Sequence, residues 1–382
     1  MRSIIFAALL LAPSLAAAQA DPPRDAANPP GMEELKIPSH GTRMNGLIYL
    51  AQGAGPHGVV VFLHGYPGNE RNLDLAQAVR RAGWHALYFD YRGSWGSGGT
   101  FGFQNALDDV GAALAWLRDP ANVTRFRIDP TRVALVGHSM GGWLALQYAA
   151  DPGAACTVAL DAWNLGAFGK NAAEHPERDP GAYFRETTDA ESGPIRGDAA
   201  AMLRETIANA ARWDYTTLAP ALRNRAVLLA ASTREAEGFR VALTQSLRSA
   251  GAAHVRSIHY DDDHGFSAHR FALAGELVRW LGSDCAAVQG GRTAASAGSS
   301  QHNYVPPDGV VPDSATAVAI AEAVLVPIYG RRQIESERPL VARLQDDRWS
   351  VMGSLPRGMR GGVAEVEISR PDGRILRITH GR

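Results

Sequence analysis

Lysine is almost missing from this chain. Of 38 basic residues only Lys36 and Lys170 are lysines, so catalysis by a lysine amine has few candidates. Cysteine is scarce as well. Cys156 and Cys285 are the only two, too few and too far apart for a zinc site. No net charge of either sign builds up over the 382 residues. The formal value of −1 gives no global field that would draw nucleic acid or an anionic membrane surface. Long apolar runs are lacking. The run Ile4 to Leu11 is too short to span a bilayer, and no later stretch is longer, so no membrane span is expected. Neither HExxH nor a phosphate-binding glycine loop occurs, so the sequence supports no metal and no nucleotide cofactor.

The first twenty residues read as a targeting segment. Arg2 supplies a positive start, Ile4 to Leu11 an apolar stretch, and Ala18-Gln19-Ala20 a small-residue cleavage site. The expectation is a signal peptide over 1–20, cleavage after Ala20, and a periplasmic or secreted product beginning at Asp21. No cysteine follows the apolar stretch, so no lipid anchor is indicated. In an oxidising compartment the even cysteine count allows one disulfide; two buried thiols are the alternative.

Residues 21–32, rich in Pro, Asp and Ala, read as a loose segment. Strand and helix patterns then alternate. Glu33 to Pro38 and Met44 to Ala51 suggest an antiparallel pair, and Val59 to Leu63 is apolar throughout, as a strand buried on both faces should be. Trp84 to Phe89, Val133 to Val136, Thr157 to Leu160, Ala226 to Ala231 and His254 to Tyr260 are further strands. Helical patterns run over Asn72 to Ala82, Asn105 to Leu117, Arg240 to Ala250 and Ser267 to Leu281. This alternation predicts an α/β fold, a doubly wound and mostly parallel sheet covered on both faces. Residues 164–213 interrupt it with mixed charges and the aromatics Phe168, Tyr183, Phe184 and Trp213, the composition of a lid. Residues 286–310 read as a flexible linker. Beyond it, Asp313-Ser314 caps a helix over Ala315 to Val326. Strand patterns at Leu340 to Leu344, Trp349 to Gly353, Val363 to Ile368 and Ile375 to Ile378 complete a small α+β unit over 311–382.

The chemistry concentrates in Gly137-His138-Ser139-Met140-Gly141, between an apolar strand and a small-residue helix. A serine on so sharp a turn has its hydroxyl exposed, and glycines two before and two after it avoid a clash. A serine hydroxyl is a poor nucleophile unless a base accepts its proton and an acid orients that base. The base candidate is His264, in Asp261-Asp262-Asp263-His264-Gly265-Phe266 after the last core strand; His259 and His269 point elsewhere. For the acid, the segment after Ala226–Ala231 offers Glu235, which is the choice here, with Asp161 at the end of the preceding strand as the alternative. Two N–H donors must hold the oxyanion of acyl transfer. They are assigned to Met140 and to Tyr66, in the loop His64-Gly65-Tyr66-Pro67-Gly68.

On these motifs residues 33–284 resemble the α/β-hydrolase superfamily. His64 to Leu73 and Tyr91 to Gly98 resemble its bacterial prolyl oligopeptidase-like and dienelactone hydrolase-like branch. The resemblance implies a hydrolase domain over 33–285 that cleaves an ester or amide of a small-molecule or peptide acyl substrate through an acyl-enzyme, with an esterase favoured over a peptidase. The same fold would bring Cys156 and Cys285 to one end of the sheet, where a disulfide could join them. Residues 311–382 resemble the NTF2-fold immunity protein domain. Val311-Pro312-Asp313, Pro327-Ile328-Tyr329-Gly330, Gly361-Gly362-Val363-Ala364 and Asp372-Gly373-Arg374-Ile375-Leu376 carry that likeness, which implies a protein partner. The alternative function is a binding or immunity protein with a weak hydrolase domain, and the reach of Glu235 or Asp161 to His264 divides the two readings.

Overall fold

Seven consecutive buried residues, His57–Leu63, form the strand around which the larger unit is built. In the computed structural model, described for residues 22–149, 151, 153–154, 156–188, 194–289, 309–355 and 361–381, side chains of this strand enter two different cores by period two. Val59, Val61 and Leu63 pack on one face of the sheet, and Val60 and Phe62 on the other. The chain divides into two compact units, Met1–Ser296 and Ala297–Arg382. The expected signal peptide lies outside the described residues, as does most of the expected linker.

The larger unit contains β1 (Gly31–Ser39), β2 (Thr42–Leu50), β3 (His57–Leu63), α1 (Leu73–Arg81), β4 (His85–Phe89), α2 (Phe103–Arg118), α3 (Pro120–Phe126), β5 (Ile128–His138), α4 (Met140–Tyr148) and β6 (Cys156–Leu160). After β6 come α5 (Leu165–Glu174), α6 (Ala182–Thr187), α7 (Ala199–Ala208), α8 (Ala210–Trp213), α9 (Ala219–Leu222), β7 (Ala226–Ala231), α10 (Arg234–Ser249), β8 (Val255–His259) and α11 (Arg270–Trp280). The sheet order is β1-β2-β4-β3-β5-β6-β7-β8. β1, β2 and β4 pair antiparallel in turn, and every pair from β4–β3 to β7–β8 is parallel. This is the mostly parallel α/β sheet expected, with helices on both faces.

Three local expectations need correction. β1 begins at Gly31, so residues 31 and 32 belong to the sheet and not to the loose segment; Gly31 to Ser39 pair residue by residue with Leu50 to Thr42. The helix expected from Arg240 starts at Arg234, because β7 ends at Ala231 and Thr233, in extended conformation, opens the helix two residues later. Residues 286–289, assigned to the linker, remain helical after the turn at Leu281–Cys285. The inserted segment folds as helices α5 to α8 around Phe184 and Trp213, both fully buried. Cys156 and Cys285 form a disulfide that joins the start of β6 to the turn Leu281–Cys285 after α11.

In the smaller unit, α12 (Ser314–Tyr329) and α13 (Arg331–Ser336) precede β9 (Val341–Gln345), β10 (Arg348–Met352), β11 (Ala364–Ser369) and β12 (Ile375–His380). The strands form one antiparallel sheet in the order β12-β11-β10-β9. Asp313 caps α12 by accepting the Thr316 N–H at 2.8 Å. Ala317, Ala321 and Leu325 of the helix cover Trp349, Val351, Val366 and Ile368 of the sheet.

Candidate active site

Register brings the site together. His138, Leu160 and Ala230 are paired neighbours on β5, β6 and β7, so the residues that follow them emerge side by side at the carboxyl end of the sheet. The Ser139 N–H donates to the Leu160 carbonyl at 2.9 Å, and the Asp161 N–H to the Ala230 carbonyl at 2.8 Å. Ser139 itself has φ 57° and ψ −120°, a conformation few non-glycine residues adopt. The turn is tight enough to require both flanking glycines. A Cβ on Gly137 would lie 1.9 Å from the Gly141 carbonyl oxygen, and one on Gly141 would lie 1.9 Å from that of Leu63.

His264 and Ser139 line one cavity of about 500 Å³. His264 Nδ1 bonds Asp161 Oδ2 at 2.6 Å. Asp161 is therefore the carboxylate that orients His264, and Glu235, chosen from the sequence, is not. The reason is positional. Glu235 lies in the first turn of α10 and makes no hydrogen bond among the described residues, whereas Asp161 is fixed by the strand register. Asp161 Oδ1 also accepts the N–H groups of Ser232 at 2.8 Å and Thr233 at 3.1 Å. Burial opposes its ionisation, but the bonds from His264, Ser232 and Thr233 outweigh that and hold its pKa below the usual carboxylate value. His259 and His269 pair with Glu237 and Asp262, away from His264.

Among the described residues no hydrogen bond joins the Ser139 hydroxyl to His264. Such bonds often tighten only when substrate binds. Neither the Met140 nor the Tyr66 N–H is taken up by another backbone group among the described residues. Gly65 approaches Ser139 so closely that a Cβ there would lie 3.0 Å from the serine Cβ. The two candidate oxyanion donors thus flank the nucleophile.

Several positioning groups were not legible beforehand. His138, inside the serine motif, donates from Nε2 to the His264 carbonyl at 2.7 Å, and burial followed by the nearby His264 lowers its pKa to about 4, so it stays neutral. His64 Nδ1 bonds the Gly65 carbonyl at 2.7 Å. That carbonyl shares a peptide plane with the Tyr66 N–H, so the bond orients the donor. The inserted segment reaches the same loop. Tyr66 Oη meets Thr188 Oγ1 at 3.0 Å, and the Tyr183 hydroxyl donates to the Tyr66 carbonyl at 3.1 Å.

Residues 60–291 match the Alpha/beta hydrolase family. The chain belongs to that family. Residues 316–382 match a second one, NTF2 fold immunity protein. An uncharacterized protein of Mycobacterium tuberculosis is 30% identical over 119 residues, 31% of this chain and 41% of that protein. The proline iminopeptidase of Xanthomonas citri is 36% identical over 110 residues, 28% of this chain and 33% of the enzyme. The chain thus spans well under half the length of these curated relatives. Among solved structures, a Pyrococcus furiosus esterase is 18% identical with a TM-score of 0.47, covering 68% of this chain and 96% of its own. As an α/β hydrolase, the chain presents its cavity where the family fold allows, at the carboxyl ends of the parallel strands.

Proposed function

We propose that this α/β hydrolase is a serine hydrolase that cleaves a carboxylic ester, in preference to an amide, through an acyl-enzyme on Ser139. The bond from His264 Nδ1 to Asp161, beside a partly buried elbow serine that lines the same cavity, is the observation that carries this reading. His264 Nε2 takes the Ser139 proton as Oγ attacks the acyl carbon. The Met140 and Tyr66 N–H groups hold the resulting oxyanion. His264 then gives the proton to the leaving alkoxide. Water repeats the sequence on the acyl-enzyme and regenerates Ser139. Asp161 stays ionised and fixes the tautomer in which Nε2 is free to accept.

A carboxylate that reaches His264 favours the enzyme over a purely binding role. The C-terminal unit is proposed to bind a protein partner, a reading supported by its match to immunity proteins. The disulfide and the apolar N-terminal segment support export, and no helix among the described residues is long and apolar enough to cross a membrane. The test is labelling with a fluorophosphonate probe. Wild type labels and Ser139→Ala does not; equal labelling of the two, or none of either, removes Ser139 as nucleophile.

A further inference from the structure

Glu235 is left without a role once Asp161 holds His264, yet it lines the same cavity. Among the described residues three carboxylates line that space. Asp161 is committed to His264 and two N–H groups. Glu70 accepts the Asn72 N–H at 2.6 Å and lies in the field of Arg270. Among the described residues the Glu235 side chain has no hydrogen bond and no ion pair, and no lysine or arginine lines the cavity. Four aromatic residues also line it: Tyr66, Trp163, Tyr183 and Phe239, the last one turn along α10 from Glu235.

A capping role at the start of α10 does not account for Glu235. Its carboxylate caps no N–H of the helix, and Glu237 supplies a second acidic group in the same turn. Glu237 is itself tied to Arg240 and His259. A free carboxylate beside aromatic faces, with no competing cation, fits a positively charged ligand. The carboxylate supplies the charge partner, and ring faces attract a cation and its apolar substituents.

We infer that this cavity selects substrates bearing an ammonium group, with Glu235 as the specificity-determining carboxylate and Trp163, Tyr183 and Phe239 as the aromatic wall. The inference rests on the reading of the cavity as the acyl-transfer site. It excludes substrates with an anionic group on the same arm, which Glu235 repels.

Two matched ester pairs test it. Butyrylcholine against 3,3-dimethylbutyl butyrate places the charge on the alcohol arm. Alanine ethyl ester against its N-acetyl form places it on the acyl arm. The charged member of one pair has the higher kcat/KM, by about threefold to fivefold for a contact to an exposed carboxylate. Glu235→Gln removes most of that ratio, Glu235→Asp keeps part of it, and added salt lowers it in wild type. Equal rates within both pairs, or a ratio that Glu235→Gln does not change, overturns the inference while leaving the hydrolase reading intact. Calorimetric binding of the same esters to Ser139→Ala reads the preference without turnover. A preference there that Glu235→Gln abolishes supports the inference even if Ser139 proves not to be the nucleophile; no preference there counts against it.

Discussion

Replacing Asp161 with asparagine separates the structural assignment of the acid from the one the sequence favoured. The substitution is isosteric, and Asp161 is 1% exposed, so the fold has little room to change its answer. Asp161 Oδ1 faces two N–H donors, Ser232 and Thr233. In Asp161→Asn the amide oxygen takes that place, because the amide NH2 cannot accept from them. The NH2 then faces His264 Nδ1, which must turn acceptor. The imidazole proton moves to Nε2, the nitrogen that has to receive the serine proton. The expected loss in kcat on a p-nitrophenyl ester is about 10⁴-fold, or about 5.5 kcal/mol of transition-state stabilisation. Glu235→Gln, on the same neutral ester, loses at least about a hundredfold less, since Glu235 does not touch His264. Circular dichroism and a melting curve verify that Asp161→Asn is folded. A folded Asp161→Asn that keeps a tenth of wild-type kcat, or a Glu235→Gln loss as large as that of Asp161→Asn, would refute the tautomer argument.

Three further outcomes follow from particular contacts. Gly65→Ala places a methyl 3.0 Å from the Ser139 Cβ and 3.5 Å from its Oγ, so kcat falls by about a hundredfold with the fold retained; a kcat within threefold of wild type shows that the loop does not serve the oxyanion. Removing the Cys156–Cys285 bond, which closes a sequence separation of 129 residues, lowers stability by about 2–4 kcal/mol, seen as a loss of several degrees in the melting temperature of Cys156→Ala/Cys285→Ala; an unchanged melting temperature contradicts this. In the C-terminal unit, Glu337 Oε1 meets His380 Nε2 at 3.0 Å. The bonds to Gly381 and Glu337 raise the His380 pKa above its ordinary 6.5, so its contribution is complete below that value and is lost as pH rises through the raised pKa. Burial opposes ionisation of Glu337, but bonds from Ala364, Gln333 and His380 lower its pKa below the ordinary 4.5, so its contribution is present above that value and is lost as pH falls through the lowered pKa. The protection of the β12 amides, taken relative to their intrinsic exchange rates at each pH, is therefore greatest between pH 4.5 and 6.5, and His380→Gln removes the decline on the alkaline side.

Much of this protein was determined by sequence alone, because the signals were local. An all-apolar run such as Val59 to Leu63 has no stable place except a strand covered on both faces. The glycines around Ser139 report a backbone path that a side chain would block, and that path depends on only a few residues. His264 could be assigned because one loop after the last strand carries it. The acid could not be read this way. Choosing between Asp161 and Glu235 requires the pairing of Leu160 with His138 and Ala230, and the point at which β7 gives way to α10. Those are relations between segments tens of residues apart, settled by packing. The same holds for His138 and His64, whose bonds orient peptide groups of the site, and for the tyrosine and threonine contacts that join the inserted segment to Tyr66. Sequence sets which groups exist and which can tolerate a strained turn. Only the tertiary structure decides which carboxylate reaches the histidine and which is left facing the substrate, because hydrogen bonds need positions accurate to a few tenths of an ångström, and those come from the assembled sheet.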